Sequence, residues 1–231
     1  MNKAWRLLAA IVASSTLINL AAAWLADTLV FDEYLYCVQA HALLHEGRLP
    51  TIFPLTPMLM AGALALIGES KAGFLALNMA VGGLTAIPAY LLGRRVLGGE
   101  GGLMVAALTV FSPMFTWCSA HALTEPLFTL LAACFVALSM DPDRKSSSIA
   151  GVMAGLAYLC RYSAIVLVIV TATYMVYRRR AVEIGVLLAS FTAVAASWQL
   201  LALTLTGCFR RRGTQSSRPG PLIKASLGAC R

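Results

Sequence analysis

Charged side chains are scarce in this chain: they make up 12% of its 231 residues, with only ten acids and three histidines. Soluble globular domains carry ~25% charged residues. With 59% of the residues apolar, a water-soluble fold is excluded. The six cysteines, at 37, 118, 134, 160, 208 and 230, form no CxxC pair and mostly fall inside apolar runs. That excludes a disulfide framework and a cysteine-based metal cluster, because Cys in such runs behaves as a small hydrophobe. The alternation of apolar and polar residues that an outer-membrane barrel requires is missing. The composition is equally wrong for collagen and for intrinsic disorder.

What the chain has instead is long apolar runs and a mean hydropathy of +0.78. An uninterrupted run of about 18 or more apolar residues reads as a bilayer span. Runs occupy residues 5–25, 72–93, 101–119, 122–140, 148–160, 162–177 and 183–206. The 148–160 and 162–177 runs are broken only by Arg161; together they are too long for one ordinary span, so two spans hinged there are expected. The predicted fold class is therefore all-α, a polytopic transmembrane helical bundle of about seven spans. The first run follows Lys3 and Arg6 and contains Ala21-Ala22-Ala23, which resembles a signal-peptidase site. Its ~20 residues are long for a leader core, and an uncleaved anchor is expected.

Residues 26–57 form the predicted first exported loop. Leu35, Val38, Ala42 and Leu43 are spaced as the apolar stripe of an amphipathic helix lying along the interface. Pro50, Pro54 and Pro57 then punctuate the chain, and 58–67 is too short to cross a ~30 Å core, which makes it half-inserted or re-entrant. The transmembrane domain is assigned to 1–206. The remaining 207–231, with Arg210-Arg211-Arg212 followed by Gly, Ser, Pro and Arg, has the composition of a disordered or aberrant basic tail and points to a truncated or frame-shifted end.

Sidedness follows from the basic residues. With the N-terminus inside and 58–67 not spanning, Lys3, Arg6, Arg94, Arg95, Arg144, Lys145 and the 178–180 arginine triplet fall inside, against Arg48, Lys71 and Arg161 outside. This is the positive-inside pattern, and counting 58–67 as a span inverts it. Asp27, Asp32, Glu33, Glu46, Glu69 and Glu125 fall outside. The net charge of +8 is thus topogenic plus a basic tail. No nucleic-acid partner is expected, since that requires a basic face on a folded domain.

Ionisable groups next to hydrocarbon are costly, so their positions are informative. Asp32 and Glu33 begin the exported helix beside Tyr34 and Tyr36, Glu125 opens the 122–140 span, Arg161 marks an outer turn, and His121 and Lys71 lie near the same surface. None falls mid-span, which favours an interfacial site over a conduit. Structural roles stand beside the functional ones. Acids at a helix start cap free amides and complement the dipole; two adjacent acids point ~100° apart, so at most one faces a reacting centre. Glu125 before Pro126 suits a helix start, and Arg161 suits snorkelling to headgroups. His41 and His45, at i and i+4 beside Glu46, share a helix face, but two ligands do not make a metal site. No metal ligand set is assigned.

Taken in order, these pieces resemble the multispanning GT-C glycosyltransferases of the protein O-mannosyltransferase and lipid A aminoarabinose transferase group, glycosyltransferase family 39-like. Asp32-Glu33-Tyr34 with Ala40, Leu44 and Gly47-Arg48-Leu49-Pro50, then Pro54-Leu55-Thr56-Pro57, is similar to that group's first exported loop. The likeness continues through Leu66-Ile67-Gly68-Glu69-Ser70, Leu91-Leu92-Gly93-Arg94-Arg95, Ser112-Pro113, Leu123-Thr124-Glu125 and Gly155-Leu156-Ala157-Tyr158-Leu159-Cys160-Arg161. It implies a membrane glycosyltransferase that takes a sugar from a polyprenyl-phosphate-linked donor and passes it to an exported lipid, glycan or protein.

The resemblance assigns the catalytic role to Asp32, with Glu33 adjacent. Arg161, Glu125, Tyr34 and Lys71 are the expected substrate-binding residues, in an integral membrane protein whose active site faces the exported side of the plasma or inner membrane. A divalent metal fits such chemistry, but no ligand set here requires one. Family members usually have more spans and often a soluble C-terminal domain. Two other readings stay open on the sequence: a transporter or flippase component, and an inactive truncated relic of a glycosyltransferase.

Overall fold

A computed structural model describes residues 3–26, 30–51 and 53–212. The described residues are all-α, with ten helical elements and no strand: α1 Lys3–Leu25, α2 Phe31–Glu46, α3 Leu55–Ile67, α4 Lys71–Leu84, α5 Ala86–Val110, α6 Pro113–Ala120, α7 Glu125–Ser139, α8 Arg144–Cys160, α9 Ala164–Tyr177 and α10 Ala181–Arg212. Helix ends follow local chemistry. Gly47 closes α2 in the left-handed region (φ 64°) and returns its N–H to the Ala42 carbonyl. The Ser70 hydroxyl accepts from the Gly73 N–H to start α4, and the Asp143 carboxylate accepts from the Ser146 N–H to start α8. Pro113 and Pro126 sit in the first turns of α6 and α7, where the missing N–H has no helical partner to lose.

By length and apolarity, Lys3–Leu25, Leu75–Val110 and Ala181–Thr204 are long enough to cross a membrane, or four segments are if α6 and α7, bent by 119°, form one span. The Leu75–Val110 stretch is not straight. Gly98 has φ 77° and ψ −175°, outside helical geometry. A Cβ on Gly93 would lie 3.0 Å from the Gly102 Cα and 2.7 Å from the Val105 Cβ. Nine residues of continuous helix would separate Gly93 from Gly102 by ~13 Å. The chain therefore reverses at Gly98, and the two legs of α5 form a hairpin, matching the break expected between 93 and 101. The expected break at Arg161 is also present: its backbone is extended between α8 and α9.

In α2 the line buried against protein is Glu33, Tyr36, Cys37 and Ala40, while the apolar stripe of Leu35, Val38, Ala42 and Leu43 is partly or fully exposed, as a stripe lying along a membrane interface is. The helix turns its small residues toward α3 and leaves Val38 exposed, because Ala40 and Cys37 admit close approach to Met60, Ala61 and Leu64. The α8 helix starts at Arg144, four residues before the predicted 148, because Asp143 caps it. Helix α10 is described as far as Arg212, and most of the basic tail expected over 207–231, residues 213–231, lies outside the described residues.

The exterior is apolar: Leu17, Leu66, Leu108, Ile169 and Leu203 are each more than half exposed. Buried positions instead hold small and polar residues, among them Ser15, Asn19, Asn78, Ser119 and Ser147, as expected where lipid removes the hydrophobic drive between helices and close packing replaces it. The most extensive helix pair joins α8 to α10. A Cβ on Gly155 would sit 2.6 Å from the Val194 Cβ, and one on Gly151 would sit 2.8 Å from the Ser190 Cβ. Together with Ser147 these make a small-xxx-small face. Gly155→Leu is expected to destabilise the protein by about 1–3 kcal/mol, the cost of overpacking, read as a lower midpoint in detergent unfolding; Gly185→Ala, with nothing within 4 Å, should leave the midpoint within error.

Candidate active site

The first turn of α2 separates its two acids. Glu33 turns inward and its side chain is 5% exposed. Its Oε2 lies 2.9 Å from the His121 Nδ1, its Oε1 accepts from the Ala122 N–H at 3.1 Å, and Oε2 also accepts from the Val30 N–H at 3.4 Å. One carboxylate thus caps its own helix and holds the turn between α6 and α7. Asn78, buried in α4, grips the same turn from the other side: its amide donates to the carbonyls of His121 and Leu123, both at 2.7 Å. His121 also packs against the Trp117 ring, with centroids 4.8 Å apart. Asp32 is exposed at the mouth of this arrangement and makes no ion pair among the described residues.

The turn so held leads directly into Glu125, the first residue of α7. Glu125 Oε1 pairs with the Arg161 guanidinium at the α8–α9 break. Its other oxygen, Oε2, is shielded from solvent and has no hydrogen-bond partner. Tyr36, one turn beyond Asp32 on α2, joins the two groups. Burial pushes its phenol above the ordinary tyrosine range; a hydrogen bond with Thr124 opposes this, the charges of Asp32 and Glu125 add to it, and Arg161 again opposes it. These fields place Asp32, Glu125 and Arg161 around one phenol that stays protonated at neutral pH. Beside Glu125 a groove of about 480 Å³ runs along Leu108, Met114, Phe115, Cys118 and Thr129.

Opposite ends of α7 carry different groups. About 22 Å along the helix from Glu125, Asp141 pairs with Arg95 at 2.9 Å, and Arg95 also donates to the Ala137 carbonyl. The loops that the basic-residue count sorted to one side thus meet one another, and those sorted to the other side do likewise.

Of the residues expected at the site, Asp32, Glu33, Glu125 and Arg161 are brought to one end of the bundle. Tyr34 is half-buried and has no described contact with the Glu125–Arg161 pair; Tyr36 occupies the place expected of it. Lys71 opens α4, and its side chain lies outside the described residues. Asn78 was not anticipated. The signal was a lone amide within the 72–93 apolar run, which is costly in lipid unless it is hydrogen-bonded; its Nδ2 is, while its buried Oδ1 has no partner.

This end of the bundle offers a free carboxylate, a cation able to receive phosphate, an unfilled acceptor and an apolar groove. That set suits transfer of a group from a lipid phosphate to an incoming hydroxyl. No curated protein and no solved structure matches the chain. Residues 50–205 match the family described as dolichyl-phosphate-mannose-protein mannosyltransferase. The match begins after Asp32 and Glu33 and takes in Asn78, His121, Glu125 and Arg161. Because it spans about two thirds of the chain, from the end of the α2 loop into α10, the chain belongs to the dolichyl-phosphate-mannose-protein mannosyltransferase family, whose members are membrane glycosyltransferases.

Proposed function

We propose that the protein moves a sugar from a polyprenyl-phosphate donor to a hydroxyl of an exported lipid, glycan or protein, with Asp32 as general base. The family implies such a donor. The observation that carries the reading is the division of labour in α2: Glu33 is consumed in holding the α6–α7 turn, which leaves Asp32 unpaired beside the Glu125–Arg161 pair. In the reaction the acceptor oxygen forms a bond to the anomeric carbon as its proton passes to Asp32. The bond from that carbon to the phosphate oxygen breaks, and the lipid phosphate leaves. Arg161 offsets the charge growing on it, exchanging part of its contact with Glu125 for the planar fork that Arg presents to phosphate. The shielded Oε2 of Glu125 is an acceptor awaiting a donor, and a sugar hydroxyl supplies one. The apolar groove lodges the first part of the lipid.

The path of the chain supports the same reading. On this proposal the chain crosses seven times, through α1, α4 with the first leg of α5, the second leg with α6, then α7, α8, α9 and α10, of which three segments, or four with α6 and α7 joined, are long enough to cross by length and apolarity alone. The segments α2 and α3 stay at the exported surface. The basic loops then fall inside and Asp32, Glu125 and Arg161 outside, where a membrane-bound donor and an exported acceptor meet.

A photoreactive polyprenyl-phosphate sugar incubated with membranes tests this. Labelling of the wild type should fall about 10–100-fold in Arg161→Ala, the equivalent of the ~1.5–3 kcal/mol that hydrogen bonds to charged groups contribute, and recover only in part in Arg161→Lys. Equal labelling of all three proteins would remove Arg161 from the donor site.

A further inference from the structure

The chain has three histidines. One, His121, is engaged with Glu33. The other two, His41 and His45, lie one turn apart on α2 with ring centroids 4.4 Å apart. Both aim Nε2 at a single carboxylate, that of Glu69, in the three-residue link between α3 and α4: His45 meets Oε1, and His41 lies 3.6 Å from Oε2. The three potential ligand atoms are all within 4.8 Å of one another. Glu46, the acid beside His45 in sequence, is occupied by Arg48 at 2.8 Å. The third ligand therefore comes from 24 residues downstream, where spacing on α2 could not reveal it.

We propose that His41, His45 and Glu69 bind a divalent transition-metal ion, with zinc the best match. Two imidazoles and one carboxylate are ligands for zinc and its neighbours, whereas magnesium and calcium require oxygen sets. A tetrahedral zinc with bonds of ~2.0–2.2 Å holds its ligand atoms ~3.3 Å apart, and small side-chain rotations bring the present triangle to that size by opening the His45–Glu69 edge and closing the others. Three protein ligands leave a fourth position for water, and the triad is partly open to solvent, with side chains 26%, 47% and 35% exposed for His41, His45 and Glu69. The carboxylate leaves one positive charge on the ion, which a water-accessible site tolerates.

The location gives the ion a positioning role. His41 and His45 lie ~14–20 Å along α2 from Asp32, so the metal touches no reacting atom in the proposed transfer. It ties the second half of α2 to the α3–α4 link, while Glu33 ties the first turn to the α6–α7 turn. With both ends held, α2 presents Asp32 at a constant height. Without the ion, the link that carries Glu69 is tied to α2 by a solvent-accessible histidine–carboxylate contact, which adds little to the packing of Cys37 and Ala40 against α3.

The test uses the full chain in detergent micelles, stripped with chelator and then equilibrated with zinc sulfate. The expected result is one zinc per chain by elemental analysis, a rise in thermal midpoint on adding zinc, and the visible d–d absorption of a tetrahedral ion when Co²⁺ replaces it. His45→Ala and Glu69→Gln, each checked for helical content and monodisperse elution, should weaken zinc binding by more than the ~10–100-fold that loss of an outer partner costs and abolish the midpoint shift. Glu46→Gln should bind as the wild type does. Substoichiometric zinc on the wild type would overturn the proposal, as would unchanged binding by the Glu69→Gln protein. Neither result bears on donor labelling through Arg161, so the two proposals fail separately.

Discussion

Asn in place of Asp32 is expected to lower sugar transfer by about 10²–10⁴-fold, the range that a positioned general base contributes, while the protein inserts and unfolds as the wild type does. The substitution keeps the size of the side chain and removes its ability to take a proton. Asp32 is exposed and makes no ion pair among the described residues, so no packing is lost with it. Donor labelling should persist, because Arg161 and Glu125 are untouched; the defect should appear in turnover and not in donor affinity. Transfer at wild-type rate in membranes carrying the variant would falsify the assignment of Asp32. Glu substituted at the same position should recover part of the activity, since a carboxylate one methylene longer still accepts the proton from a shifted site.

Loss of Glu33 should have a different signature. Glu33→Ala removes one partner of a buried pair and leaves the His121 ring and the Ala122 N–H without their acceptor. Leaving a buried donor without its acceptor costs about 1–3 kcal/mol for each group. The expected result is a large fall in the unfolding midpoint together with loss of transfer, because the turn that delivers Glu125 is no longer held from α2. Glu33→Gln keeps one acceptor and should be intermediate on both measures. Asn78→Ala should reproduce the midpoint loss from the opposite side of the turn, since its amide supplies two hydrogen bonds to the same segment. If the double variant Glu33→Ala with Asn78→Ala were no less stable than either alone, the two would act as one clamp; independent additivity would show separate roles. A Glu33→Ala protein as stable as the wild type but inactive would make Glu33 the reacting carboxylate and demote Asp32.

Local chemistry made much of this architecture legible. Runs of apolar residues announce helices in lipid because every backbone group must be paired within its own segment. Thus the breaks near Gly98 and Arg161, the early proline of α7, and the short α3 could be placed from neighbouring residues, whereas the start of α6 at Pro113, inside the 101–119 run, was not. The gathering of Asp32, Glu125 and Arg161 was legible for a related reason: charge is excluded from the hydrocarbon, so few places remain for it. Family likeness in short ordered fragments added the chemistry that such a gathering serves.

The face a helix buries was less legible. In α2 the small residues Cys37 and Ala40 decided the packing against α3, and the stripe of larger apolar residues did not report it, because a membrane surface satisfies that stripe as well as a protein core does. Partners far apart in sequence could not be read at all. Glu33 meets His121 across 88 positions, Asn78 reaches His121 across 43, and Arg161 finds Glu125 across 36. Choosing which of two adjacent acids stays free, and which distant glutamate completes a pair of histidines, requires knowing which loops arrive at the same end of the bundle. Residue type and local spacing determine the helices and keep charge at their ends. The meeting of those ends is settled by side-chain packing between segments, through contacts that no single stretch of the chain contains.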